Sequence, residues 1–314
     1  MSLVAAISPV TIDILYSGLP RMPKLGEEVC ADMFDIQIGG GPPATLITLS
    51  KLGIDTKLGT FLSSDNTGRM AEILLEQKGV NYTNLYRGDE RAVNVTSVAS
   101  FPQDRYFLSY FSKVDSKILS DDEVYSFLKG AKVVIGIESH IEVMKKLKEE
   151  GTTIVYDVGW SDDLSIEKIK PVLKHVSVFT PNDKEARKIA GTDNVFEALE
   201  KIGEYAENVI ITLGKNGSIA KSKDKVMYFP PVKGIKAVDT TGAGDNFLAG
   251  VIYGIYKGWT IEESVKMGNI VGAYSTTSLG CCSADITIEK AKQYLYGMTC
   301  VNIQNEKDII RYLD

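Results

Sequence analysis

The stretch "KVVIGIESHIEVMKKLKEEGTTIVYDV", Lys132 to Val158, decides the fold. Two short apolar runs, "KVVIGI" and "TIVYDV", flank "IEVMKKLKEEG", in which apolar residues recur at helical spacing among charged ones. A run that is apolar throughout suits a strand buried on both faces, and strand–helix–strand order is how parallel neighbours are joined. The alternation continues downstream with "VSVFTP", then "DKEARKIAG", then "NVIITLG". The sequence therefore predicts an α/β fold, a mostly parallel central sheet with helices on both faces. Helix starts are marked by Ser120 with Glu123 and Thr260 with Glu263, pairs spaced to satisfy each other's free N–H groups.

Two regions break this rhythm. From about residue 18 to 38, and again from about 91 to 114, "GEEVCADMFDIQI" and "AVNVTSVASFPQDRYFLSYF" are strand-like with turn residues and no helical period. They predict a small β-sheet projecting from the main body as a lid. The opening "MSLVAAISPVTIDIL" lacks a basic leader and carries Asp13 inside its apolar run, so it reads as a first buried strand. With no repeat and no Pro/Gly/Ser linker, residues 1–314 are expected to form a single domain.

Composition narrows the function. The 314 residues are 44% hydrophobic and 24% charged, an ordinary globular balance, and the net charge of -6 offers no footprint for nucleic acid or an anionic membrane. No run is apolar and long enough to cross a bilayer. The four cysteines have no CxxC spacing and only His140 and His175 are available, which argues against a zinc site and fits a reducing, cytoplasmic setting.

The chemistry is concentrated in "DTTGAGDNF", Asp239 to Phe247, ahead of the apolar "LAGVIYGIYKGW". A glycine-bracketed turn that opens a helix exposes unpaired N–H groups at the positive end of the helix dipole, a place for an anion. Asp245 is out of place beside an anion unless it takes a proton from a nucleophile while the amides hold the group under attack, which describes phosphoryl transfer. Other segments are ambiguous alone. "IGGGPPATLITLSKLG" places Gly39, Gly41 and Ala44 in the spacing of a dinucleotide fingerprint, but "MFDIQI" before it alternates where a central parallel strand would be apolar throughout. A glycine turn that lets a small substrate approach the backbone is the other reading. Asn182 and Glu185 in "TPNDKEA" read as a helix cap, Thr212 with Gly214 and Gly217 in "ITLGKNGS" as a hairpin, and Asn269 as a poor helix former beside a ligand or a neighbouring helix. No GxxxxGK[ST] phosphate loop and no protein-kinase HRD or DFG signature is present.

Taken in order, "MPKLGEEV", "GGGPPATLITLSKLG", "DNTG", "NDKE", "TLGKNG" and "DTTGAGD", then Asn269 and Gly280, the chain resembles the ribokinase family of carbohydrate and nucleoside kinases, also called the phosphofructokinase-B family. That resemblance implies a ribokinase-like fold, with Asp245 as catalytic base and the N–H groups of Gly242, Ala243 and Gly244 as anion hole. It implies that Asn182 and Glu185 organise Mg²⁺ and its waters around ATP, that Thr212, Gly214 and Gly217 run along the nucleotide, and that Asn269 lies near the adenine. Asp239 and Thr241 match positions that hold a monovalent cation, often K⁺, in some members. On the acceptor side Asp13 matches a residue that grips sugar hydroxyls, Gly40 and Gly41 match backbone packed against the sugar, and Glu138 resembles a substrate contact. Ala44 stands where an asparagine is usual, and Ser8, Ser63 and Ser64 also depart from the pattern, so the acceptor is left open. Arg105 reads as a solvated turn residue or as one facing a substrate phosphate.

The expectation is an ATP-dependent kinase acting on a hydroxymethyl group of a sugar or small polyol. The alternatives are a nucleoside kinase of the same family and, from another class, a non-catalytic nucleotide- or sugar-binding protein. Exposed edges of the lid strands suggest a homodimer.

Overall fold

Two sheets share the chain in a computed structural model that describes residues 3–101 and 105–312. The strands are β1 (Val4–Ile7), β2 (Thr11–Ser17), β3 (Met33–Gly39), β4 (Thr56–Thr60), β5 (Tyr82–Asn84), β6 (Asn94–Ser100) and β7 (Arg105–Tyr110). They continue with β8 (Val133–Ile135), β9 (Thr153–Tyr156), β10 (Val178–Phe179), β11 (Asn208–Thr212), β12 (Ser218–Ser222), β13 (Lys225–Phe229) and β14 (Val301–Ile303). Ten of them form the main sheet, in the order β14-β13-β12-β11-β10-β9-β8-β1-β4-β5. From β11 to β5 the pairs are parallel, and the β11–β12–β13–β14 edge is antiparallel. The apolar runs of the sequence are these parallel strands, and β1 and β8 are buried at every position.

One hydrophobic cluster covers each face of the sheet. Leu46, Val251 and Ile270 belong to the first, and Leu147, Leu173 and Leu199 to the second. Burying each such side chain contributes about 1.5–3 kcal/mol, so the two helical layers are what hold the sheet. Both capping boxes anticipated from sequence, Ser120 with Glu123 and Thr260 with Glu263, are formed.

The second sheet is the lid, four strands in the order β3-β2-β6-β7. Its composition corrects the sequence reading in two ways. The N-terminal segment is not one strand but two in different sheets, because at Ser8-Pro9 the chain leaves β1 in the main sheet and enters β2 in the lid. Proline has no N–H to donate to a ladder, so a strand that continued through position 9 would lose a bond there. Of the predicted lid segments, 33–39 and 94–110 supply β3, β6 and β7, whereas residues 18–32 connect β2 to β3 without forming a strand.

Candidate active site

The chain order reverses at β1. From there β4 and β5 run one way and β8 to β11 the other, which opens a crevice beyond the carboxyl ends of the parallel strands. A cleft of about 450 Å³ occupies that position. Strand ends supply Gly136, Asp157, Thr180 and Thr212, and the N-termini of three helices, at Gly41, Asn182 and Gly242, close the remaining sides.

The first is the helix Ala243–Lys257. Its N-cap, Gly242, has φ 72°, in the left-handed region, and no side chain caps the helix. A Cβ on Gly242 would stand 2.3 Å from Cys281 Cβ, so only glycine suits this turn. The amide of Ala243 is already donated to Thr240 O at 3.2 Å, which corrects its expected place in the anion hole. Among the described residues no acceptor takes the N–H groups of Gly242, Gly244 or Asp245. Three free amides thus converge at a helix N-terminus, and they are not quite the three read from the sequence.

Asp245 is held from behind by the second helix, Gly41–Lys51. Thr45 Oγ1 donates to Asp245 O at 3.0 Å, and Thr48 Oγ1 donates to Asn246 Oδ1 at 2.7 Å. Asn246 Nδ2 in turn donates to Gly242 O and Cys281 O, both at 2.8 Å. Asn246 is 2% exposed, so this network fixes the turn without meeting solvent. Asp245 Oδ1 lies 3.2 Å from where a Cβ on Gly41 would stand, so the carboxylate faces the bare backbone of Gly41. Pro42 and Pro43 open the Gly41–Lys51 helix without leaving amides to satisfy.

Every charged side chain lining the cleft is acidic: Asp157, Glu185 and Asp245. Burial, with the neighbouring Glu185 charge, pushes Asp245 up to about 6. Burial raises Asp157 further, helped by Asp245 and Glu185, although the Val158 N–H at 3.0 Å opposes the shift. Glu185 is raised by burial too, against the Asn182 N–H that it accepts at 2.9 Å in a complete capping box. Carboxylates that hold protons so tightly mark a place short of positive charge. Among the described residues no three metal-ligating side chains converge.

Across the cleft stands the inner face of the lid. Ladder pairing puts Gln37, Asp13, Thr96 and Ser109 in one row across four strands. Burial, then the Asp245 charge, raises Asp13 to about 7, and among the described residues no hydrogen-bond donor reaches its carboxylate. Gly39 makes room for it, since a Cβ there would lie 2.1 Å from Asp13 Oδ2. Gln37 Nε2 donates to Leu279 O at 3.1 Å, and its buried Oε1 has no partner. Arg105 occupies neither place expected of it. Its Nη1 lies 3.0 Å from Asp239 Oδ1 and 3.0 Å from Thr241 Oγ1, directly ahead of the free amides.

The cleft thus gathers Gly41, Asn182, Glu185, Thr212, Gly242, Ala243, Gly244 and Asp245 from the sequence expectations. Asp13 adjoins it through Asp245, and Gly40, with φ 98°, caps the helix behind. Gly214 and Gly217 form the β11–β12 turn beyond the wall, where a Cβ on Gly217 would strike Phe229 O. Glu138 is exposed, accepting a hydrogen bond from Tyr156 at 3.0 Å. Asn269 lies in the helix Ile261–Ser275, away from the cleft lining, its Nδ2 buried without a partner. The small residues beside it serve helix packing, because a Cβ on Gly268 would meet Val251 and Phe247. Ala44 is fully buried and presents nothing to the cleft. Sequence reasoning missed Asp157, Asn246 and Gln37. Asp157 left the clearest trace, an acid closing an apolar parallel strand at its carboxyl end.

Residues 25–288 match the family described as pfkB family carbohydrate kinase. The ATP-dependent 6-phosphofructokinase of Thermoanaerobacterium thermosaccharolyticum is 26% identical over 274 residues, 81% of this chain and 84% of that protein. Ribokinase from Thermotoga maritima shares the fold at a TM-score of 0.78 and 22% identity, over 94% of this chain and 100% of that one. Phosphofructokinase-2 from Escherichia coli, solved in complex with potassium, does so at a TM-score of 0.76 and 16% identity, over 95% and 99%. No described helix is long and apolar enough to cross a membrane. The match extends over most of the chain, and the protein therefore belongs to the pfkB family of carbohydrate kinases, a phosphotransferase for a sugar or nucleoside.

Proposed function

We propose that the chain, as one kinase domain spanning residues 1–314, transfers the γ-phosphoryl group of ATP to a hydroxymethyl group of a sugar or related small polyol. The observation that carries this reading is the juxtaposition of Asp245 with the three free amides of Gly242, Gly244 and Asp245. Asp245 accepts the proton of the attacking hydroxyl. The amides take up charge on the equatorial phosphoryl oxygens, where donors fixed in advance need no reorganisation. Gly41, with no side chain, lets the acceptor carbon approach the carboxylate. Glu185 and Asp157 would hold Mg²⁺ through water, and the ion would supply charge neutralisation for the nucleotide phosphates. Thr212 and Asn182 border the space left for the nucleotide phosphates.

The lid row favours a hydroxyl-rich acceptor. An ionised Asp13 without donors of its own can take two hydroxyls, and Thr96 beside it adds a hydroxyl, while both Nε2 hydrogens of Gln37 are spent on Asp35 and Leu279. A panel of sugars, sugar phosphates and nucleosides, read by ADP release, tests the assignment. Turnover of a polyol supports it, preference for a nucleoside moves the acceptor class, and no ADP release with any acceptor leaves only a binding protein. We place the protein in the cytoplasm, where its four free thiols stay reduced.

The outer face of the lid carries Phe34, Tyr106 and Leu108 at 59%, 56% and 79% exposure. Two copies covering this patch would bury it and shield the edge strands β3 and β7, so we propose a homodimer through the lid. Light scattering should give twice the chain mass, and Leu108→Glu should give the monomer.

A further inference from the structure

The guanidinium of Arg105 lies where the family resemblance places a monovalent cation. Asp239 Oδ1 accepts from Arg105 Nη1 at 3.0 Å, from Thr241 N at 2.9 Å and from Thr241 Oγ1 at 2.8 Å, while Oδ2 accepts from Gly280 N at 2.8 Å. The neighbouring carbonyls are engaged as well. Thr276 O receives the amides of Val238 and Asp239 at 2.7 and 3.0 Å, and Leu279 O receives Gln37 Nε2. Asp239 is 7% exposed at its side chain, so a bare ion would have to displace the guanidinium to reach it. The residues present do not fit a resident K⁺ together with Arg105.

We propose that Arg105 is a built-in cation for the anion-hole turn, carried on the lid, and that this kinase works without a monovalent activator. Thr241 directly precedes Gly242, so the charge that fixes Asp239 and Thr241 also fixes the turn whose amides face the cleft. Arg105 begins β7 on one edge of the lid, and Gln37 reaches Leu279 from the opposite edge strand. Both loops beside the anion hole are therefore held by the lid, and the hole is complete only with the lid in place. Arg105 acts as a positioning residue, since it touches the turn and not the reacting atoms. The inference rests on the proposed role of residues 242–245.

The test compares initial rates, with the best acceptor of the panel, in KCl and in tetramethylammonium chloride at equal ionic strength. Wild-type kcat should change by less than about twofold, because the site already holds its charge. Arg105→Ala should lower kcat by about tenfold or more, and K⁺ or free guanidinium should restore part of it, while Arg105→Lys keeps most of the rate. Melting adds a readout independent of turnover: K⁺ should raise the Tm of Arg105→Ala and leave the wild type unchanged. Activation of the wild type by K⁺, full kcat in Arg105→Ala, or a loss that no cation and no lysine restores each overturns the proposal. If no acceptor is phosphorylated the kinase reading itself fails, and the cation-dependent Tm of the two proteins still decides whether Arg105 fills a cation site.

Discussion

The two walls of the cleft are built by different means. The anion-hole wall carries its groups on consecutive residues, Asp239 to Asn246, so one turn sets the spacing of amides, carboxylate and network. The lid wall collects Gln37, Asp13, Thr96 and Arg105 from four strands, and only ladder register brings them together. A local wall has its spacing set once the helix starts. A wall assembled from distant strands can differ in what it presents, and it touches the other only where Arg105 and Gln37 reach across. On the proposed reading, reaction chemistry belongs to the first wall and acceptor choice to the second, with Arg105 as the link between them, and mutations can separate the two.

Asp245→Asn should break the local wall most severely. It keeps shape and hydrogen bonding but cannot take the proton, so kcat should fall by about 10³–10⁴. ATP binding measured by calorimetry should be nearly unchanged. Retention of more than about a tenth of the rate would remove Asp245 from the role of base.

Acidity probes both walls at once, because Asp13 and Asp245 interact and titrate as a pair with values near 7 and 6. In the proposed mechanism both must be ionised, one to grip hydroxyls and one to accept a proton. Activity is therefore complete above pH 7 and lost as pH falls through 7 and then 6. Between pH 8 and 5, kcat/KM should fall by about two orders of magnitude or more, with a slope steeper than one proton. Asp13→Asn should leave a single step near the lower value. The sign for stability is opposite. Both groups bind protons more tightly folded than unfolded, so the stability they add is fully present below the ordinary carboxylate value of 3.8 and is lost as pH rises from there through 6 and 7. A melting curve of the ligand-free protein across this range checks it.

Gly39→Ala sharpens the comparison from the lid side. Its Cβ would sit 2.1 Å from Asp13 Oδ2, forcing the carboxylate aside, while the anion-hole turn is untouched. The KM for the acceptor should rise by about tenfold with the KM for ATP unchanged. An equal rise in both would show that the walls are coupled here.

The same division explains what the sequence could reveal. Parallel strands are legible because burial on both faces leaves uninterrupted apolar runs such as "KVVIGI", and the turn at Gly242 is legible because its groups are neighbours in the chain. The lid was only half legible. Its register is a property of pairing across 80 or more residues, as between Asp13 and Thr96, and β2 was hidden by the apolar run it shares with β1 until Ser8-Pro9 is recognised as the change of sheet. Arg105 could not be placed at all, since nothing near position 105 specifies that its partner is Asp239.

The smallest effect expected is at Thr48, and it tests whether the local wall is fixed by the turn alone. The buried Thr48 hydroxyl is the donor to Asn246 Oδ1, and Asn246 ties Gly242 to Cys281. Thr48→Val preserves shape and leaves that oxygen buried and unpaired, which should cost about 1–3 kcal/mol of stability in denaturant unfolding. If the turn holds itself, kcat in the folded variant should stay within about twofold of wild type. If it depends on its neighbour, kcat should fall several-fold while the acceptor KM stays constant, because Asn246 stands beside the base and far along the chain from the lid residues. The geometry favours the second outcome, since Asn246 Nδ2 ties the turn at Gly242 O to the facing loop at Cys281 O, a link that Asp239 Oδ2 makes only from the other end of the turn, to Gly280 N.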